Sequence, residues 1–376
     1  MRVEQLRWTD EEVWSTVNSD LRGGEQPALV LVFASPKHIH NEGALNQLRS
    51  RYPDAVIAGG STAGNVIGTS SSDSDIAATA IAFDHGRVRL TSVLIEPSTN
   101  VSEIAQAAVE HLLEEDLRHV FVLSDGLNVN GSELAKGLNK RVDVTVSGGL
   151  MGDNGAFAHT YVIANGPPKA NQIALIGFYG EQLSVTHGCF AGWEEFGINR
   201  VVTRSSGNIV YEIDDQPALA LYKKYLGDAA AGLPGSGLRF PLSIRSDTDQ
   251  MLIRTLLSVD EENQSLTFAG DVPEGATTLL MKGSTDNLID GAEHAANQAQ
   301  RGKNRCELAV IISCVGRRMV MDQMADEELE VIYETLGENT RLAGFYSYGE
   351  LSPQGDEFVK CSLHNQTMTL FTLSEA

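Results

Sequence analysis

Three stretches of the chain share one alternation of apolar and polar positions. An apolar run ends in a small polar tip, a segment of helical character follows, and a second apolar run closes in a glycine-rich turn. The stretches are 28–35 with 56–64, 120–126 with 146–153, and 308–317 with 342–350. Unbroken apolar runs of this kind, split by a helix, predict strands buried on both faces. Serines, aspartates and glycines gather at the carboxyl ends of those runs, where open α/β sheets bind ligands. The predicted fold is α/β of the mixed α+β kind. It is built of repeated βαβ units with mixed sheets, in two related domains.

Between the repeats the pattern predicts helices over 10–19, 41–51, 101–115, 132–140, 217–226, 284–300 and 326–336. It predicts strands over 75–83, 87–95, 172–179, 182–187, 251–259, 277–281 and 366–373. Gly227 reads as a helix C-cap, and 228–237 as a flexible connection. These boundaries suggest an N-terminal lead-in over 1–27, a first domain over 28–210 and a second over 211–376.

Composition narrows the function. A net charge of −22 over 376 residues repels nucleic acid and anionic membrane surfaces. No apolar stretch is long enough to span a bilayer, and the polar N-terminus lacks a signal-peptide core. The expectation is a cytoplasmic protein with four reduced, unpaired cysteines.

The strand tips supply the candidate chemistry. Arg317 has the planar fork that clamps a carboxylate. Cys314 beside it either contacts a ligand or is a buried, inert thiol. Tyr346, Tyr348 and Glu350 recur with period two and share one side of a strand. That grouping suits an amino group or cation, or else forms a core ladder. Ser124, Asp125, Gly149 and Asp153 occupy the tips of the second repeat. The two aspartates either bind a ligand amine or cap turns and helices. His364 and Asn365 either orient a ligand or brace the last strand. Cys314, His364 and Glu350 also have the types of a nucleophile, base and orienter, the basis of an alternative reading as a Cys-dependent hydrolase or transferase.

Several motifs, taken in order, resemble the FIST family of signal-transduction sensors. They are Gly59-Gly60-Ser61-Thr62-Ala63-Gly64, Ser124-Asp125-Gly126-Leu127, Gly148-Gly149-Leu150-Met151-Gly152-Asp153, Ser313-Cys314-Val315-Gly316-Arg317, Gly344-Phe345-Tyr346-Ser347-Tyr348-Gly349-Glu350 and His364-Asn365-Gln366-Thr367. The resemblance covers roughly 28–373. It implies a non-enzymatic module that binds a small ligand and signals through a separate partner, a histidine kinase first among the choices, with a homodimer compatible. The segment His187-Gly188-Cys189-Phe190-Ala191-Gly192-Trp193 resembles haem-binding nitric-oxide sensors of the family. That would make haem the cofactor and His187 its axial ligand. An amino acid or similar metabolite is the second ligand choice.

Overall fold

The computed structural model describes residues 1–8, 12–96, 99–245, 251–301, 306–353 and 360–376. The chain opens on a hairpin, β1 (Arg2–Trp8) and β2 (Trp14–Ser19), where the pattern predicts a helix over 10–19. Residues 10 and 11 lie outside the described residues. Trp14, Thr16 and Val17 are aromatic or β-branched and fit a pleated edge better than a helix. Trp14 packs edge-on against Trp8 with ring centroids 5.5 Å apart.

Each apolar repeat then folds as a parallel strand pair. In the first, β3 (Leu29–Ala34), α1 (Glu42–Arg51) and β4 (Val56–Ser61) are followed by β5 (Asn65–Ile67), β6 (Ser70–Ser72), β7 (Ile76–Ala82) and β8 (Arg87–Leu94). After α2 (Val101–Glu110), the second has β9 (Leu117–Ser124), α3 (Gly131–Leu138), β10 (Thr145–Leu150), β11 (Val162–Ala164), β12 (Gln172–Tyr179) and β13 (Leu183–Phe190). After α4 (Thr285–Gln300), the third has β14 (Leu308–Cys314), α5 (Val315–Met321), α6 (Glu327–Leu336), β15 (Arg341–Ser347), β16 (Gly349–Pro353), β17 (Cys361–His364) and β18 (Met368–Glu375). Asn41, Asn100 and Asn130 cap α1, α2 and α3 by accepting backbone amides in the first turn.

The three sheets run β11-β4-β3-β7-β1-β2, β17-β16-β10-β9-β12-β8 and β13-β18-β14-β15-β5-β6. In every one, a parallel pair is flanked by an antiparallel strand of its own repeat: β7, β12 or β18. The other flank is exchanged in a cycle. β5 of the first repeat joins the third, β11 of the second joins the first, and β16 of the third joins the second. The third repeat, distant in sequence, is thus locked to the first two by main-chain pairing.

Three backbone hydrogen bonds repeat the same cycle at the tips. The amide of Gly152 donates to the Ser61 carbonyl at 3.0 Å, that of Ala63 to Tyr346 at 2.9 Å, and that of Tyr348 to Leu150 at 2.9 Å. Close strand approach explains one glycine per repeat. A Cβ on Gly59, Gly148 or Gly344 would lie 1.7, 2.1 or 2.0 Å from the carbonyl oxygen of Val32, Val122 or Ile311 on the paired strand. Gly344→Ala should therefore destabilise the protein by about 1–3 kcal/mol, read as a lower midpoint in chemical denaturation; an unchanged midpoint would contradict this packing.

Between β13 and α4 the chain forms a separate β module, whose nine strands lie between Glu194 and Lys282 with the helix Ala218–Leu226 packed on them. Its core, including Val202, Val210, Leu219, Leu242 and Phe268, is its own. Gly227 caps the helix with φ 55°. The segment expected to be a flexible connection instead forms two short 3-10 helices, Gly227–Gly232 and Gly235–Arg239.

Candidate functional site

The module sits over the tips of the second and third repeats, and a cleft runs along the junction. Its deepest part is an apolar cavity of about 240 Å³. Cys314, Val315, Gly316 and Met319 at the β14–α5 junction form the floor, with Tyr348 and Phe157 beside them. The module supplies the roof from Leu238, Leu256 and Leu257. A second cavity of about 330 Å³ shares Phe157, Leu257, Ala269 and Tyr348 with the first and is walled by the 126–131 turn and 268–271. Phe157, Leu257 and Met319 are 50%, 40% and 41% exposed. Large apolar side chains left in water are here gathered at one mouth rather than scattered over the surface.

The loop after β10 shapes this site. Asp153 is buried and accepts the amides of Phe157, Ala158 and His159 at 2.8, 2.6 and 2.8 Å. It also takes a short hydrogen bond from the Tyr348 hydroxyl. Burial opposes its ionisation, but Tyr348 and the three amides outweigh burial and lower its pKa. This ring of donors folds 153–159 so that Phe157, at φ 51°, stacks on Tyr348 with centroids 4.5 Å apart. Asp153 thus acts as the anchor of an aromatic wall, its oxygens occupied by the loop.

The other predicted residues are mostly consumed inside the frame. Asp125 accepts the amides of Leu127, Asn128 and Asn171 at 2.8, 2.9 and 2.7 Å and so ties the 125–128 turn to the start of β12. Ser124 is fully buried at the end of β9. A Cβ on Gly149 would lie 2.7 Å from Ile312, so this glycine admits the neighbouring sheet. Arg317 is fully buried; its Nη2 and Nε reach Glu328 at 2.9 and 3.1 Å, while its remaining donors reach the carbonyls of Ala191 and Leu288. Ser313 donates to the other Glu328 oxygen at 2.9 Å. Arg317 is therefore the clamp joining α5 to α6 and α4, with its fork already filled. Tyr346 is buried, and its hydroxyl donates to the Ala325 carbonyl at 3.2 Å.

Glu350 is buried beneath the tips and bonded to Ser347 at 2.7 Å and to the Thr367 hydroxyl at 3.0 Å. Burial pushes its pKa up to about 8 against those hydrogen bonds and Arg317. His364 lies opposite it in the β16–β17 register, bonded through Nε2 to the Ser352 carbonyl at 3.0 Å, and burial lowers its pKa to about 4. Asn365 is buried, donating to the His364 carbonyl, with its Oδ1 unbonded. Burial raises the Cys314 pKa well above that of an ordinary thiol. A protonated Cys314 with His364 turned to a carbonyl does not make an activated nucleophile, so the geometry gives the hydrolase alternative no support.

Of the eleven predicted contact residues, the structure brings Cys314 and Tyr348 to the cavity wall. His187 lies partly buried in the middle of β13, opposite Phe371, and lines neither cavity. Haem iron requires an axial ligand facing an open space. Cys314 is held as a thiol, the Tyr348 hydroxyl is engaged with Asp153, and the thioether of Met319 has no histidine across from it among the lining residues. The cleft residues do not fit haem. Among the described residues, no group of three or more His, Cys, Asp or Glu side chains could hold a metal ion.

Sequence reasoning missed Phe157, Leu238, Leu256, Leu257 and Met319. Phe157 lies in a loop, Leu238 in a short 3-10 helix and Met319 in α5, while Leu256 and Leu257 open a strand whose apolar residues read as ordinary core. The turn-forming pair Asn154-Gly155, two residues before Phe157, is the nearest thing to a signal in the sequence. No helix among the described residues is long and apolar enough to cross a membrane.

Comparison with known proteins places the chain. Residues 28–216 match the FIST N domain and 218–353 the FIST C domain. An uncharacterized protein of Methanocaldococcus jannaschii is 25% identical over 222 residues, 55% of this chain and 42% of that protein. The chain thus spans less than half of that relative's length. With both domains matched over most of its residues, the chain belongs to the FIST family, whose domains are small-ligand sensors in signal transduction.

Proposed function

We propose that this protein senses a small, largely apolar metabolite, an amino acid or a close relative of one, in the cleft between the three-sheet body and the β module. The observation that carries this reading is the 240 Å³ cavity whose floor is the third-repeat strand tip and whose roof is the module. Ligand sites are typically concave and apolar with a few polar groups, roughly 300–1,000 Å³ for drug-sized molecules. A smaller cavity suits a smaller ligand. Its apolar part would pack on Met319 and Leu256, and its polar end would face the second cavity, where Asn128 and Asn208 contribute amides.

A ligand there touches both units at once. It favours the arrangement in which the module is closed over the tips, and that difference in affinity is what a sensor needs. The output passes to a separate signalling protein, a histidine kinase being the candidate the family resemblance suggests.

The test is a thermal-shift screen of amino acids and related metabolites against the wild type and Leu257→Trp, which fills the mouth of the cleft. A ligand at a hundredfold its Kd adds about 2.7 kcal/mol to the folded state. The expected result is a metabolite that raises Tm in the wild type and leaves the variant unmoved. Equal stabilisation of both proteins would contradict binding in the cleft.

A further inference from the structure

Beyond the apolar cavity, the same junction opens into a third space of about 450 Å³, between α3 and β17 on the body and the strand Met251–Arg254 on the module. It shares Asp271 and Leu363 with the second cavity. Lys136, Lys140, Lys360 and Arg254 all line it. The chain has nine lysines against 50 acidic residues, so three lysines at one cavity of so acidic a protein is a local reversal of charge.

Arg254 makes the reversal a site. It is 3% exposed. Its Nε donates to the Asp271 carbonyl at 3.0 Å, and Nη1 donates to the carbonyls of Ile253 and Leu363 at 3.2 and 3.1 Å. Among the described residues, no carboxylate lies within ion-pair distance of it, and Nη2 has no partner. Burial lowers its pKa to about 10, so the guanidinium is charged at neutral pH. A buried charge is costly unless it is paired, and here the compensation stops at carbonyl dipoles. Gly270 leaves the room: a Cβ there would lie 3.0 Å from the Arg254 Nε. Lys140 is held by Ser102 at 3.1 Å and Lys136 by Glu133 at 3.2 Å. The lining carboxylate, Asp271, is turned to Asn130 at 3.2 Å.

We propose that this cavity is a second binding site, for a multiply charged small oxyanion, in which Arg254 is the buried counter-charge and Lys136, Lys140 and Lys360 are the rim. The shared chemistry is that of a phosphate ester or a polycarboxylate. Arg supplies directional donors and Lys supplies point charges. Because α3 and β17 belong to the body and Arg254 to the module, an anion seated here joins the two units, as a second input independent of what fills the apolar cavity.

Isothermal titration of the full chain at low ionic strength, with pyrophosphate and separately with citrate, tests this. The proteins are the wild type, Arg254→Gln, and the surface double variant Lys136→Gln/Lys140→Gln, which keeps the core intact. The expected result is one anion bound per chain, weakened at least tenfold in the double variant and lost in Arg254→Gln. Pyrophosphate alone would identify a phosphate ligand, citrate alone a polycarboxylate, and both the shared oxyanion chemistry. Failure of both anions to bind the wild type at millimolar concentration would overturn the proposal, as would binding weakened less than threefold in the double variant.

Discussion

Arg317→Met should lower the unfolding free energy by about 3–5 kcal/mol, the loss expected when one partner of a buried ion pair is removed and the other charge stays behind. The stranded group is Glu328, which is fully buried and keeps the Ser313 hydroxyl as a donor. The loss extends beyond the pair. The guanidinium also satisfies the carbonyls of Ala191, at the entry to the module, and Leu288 in α4. Because the cost lies in the uncompensated charge, Arg317→Met/Glu328→Met should recover a large part of the stability. Chemical denaturation of the two variants decides it. A single-variant loss under about 1 kcal/mol, typical of an exposed pair, would contradict the clamp.

Stability should also peak near pH 6.5 and fall on both sides, through three buried groups with opposite signs. Burial lowers the pKa of His119 to about 3 and that of His364 to about 4. Both are neutral in the native state while the unfolded chain binds protons below about 6.5. As pH falls below 6.5 each histidine therefore removes up to about 1.4 kcal/mol per unit. Glu350 acts the other way. Burial pushes its pKa up to about 8 from 4.5. The native carboxyl keeps a proton that the unfolded chain releases, so stability declines as pH rises from 4.5 to 8 and levels off above.

Ser347 and Thr367 can serve a neutral Glu350, because a hydroxyl turns from donor to acceptor. Between 4.5 and 6.5 two histidines outweigh one glutamate; between 6.5 and 8 only Glu350 of the three still acts. His364→Asn should flatten the acid limb and Glu350→Gln the alkaline limb of denaturation midpoints measured from pH 4.5 to 8.5. An unchanged alkaline limb in Glu350→Gln would show that this carboxyl is ionised in the native protein.

The repeats were legible because they depend on local physics. Runs such as Leu29–Ala34 and Leu308–Cys314 are almost wholly apolar and short, the pattern of strands buried on both faces, and the structure buries every residue of both. The cyclic exchange was not legible. β5, β11 and β16 are short, and their pairing with another repeat leaves no trace in their own residues. The first strands were misread because 10–19 combines polar and apolar residues at spacings that fit either element, and only β1 decides between them.

At the site, the sequence pointed to the strand tips, and the structure engages most of the side chains there within the frame. Polar residues at strand tips are equally suited to ligands and to turns, and a single chain does not say which. Asp125, Asp153 and Arg317 each carry enough backbone or ionic partners to be satisfied without a ligand. What faces the cleft instead is apolar, and half of it comes from a module that shares no repeat with the tips it covers.

Hydrogen exchange, with and without each amino acid at millimolar concentration, tests the central claim most directly. The account predicts that one of these ligands slows exchange in 153–159, 234–238, 255–257 and 314–319 together, because these segments meet at one cavity. Protection confined to other parts of the chain, or no protection of these four segments by any of the ligands, would contradict it.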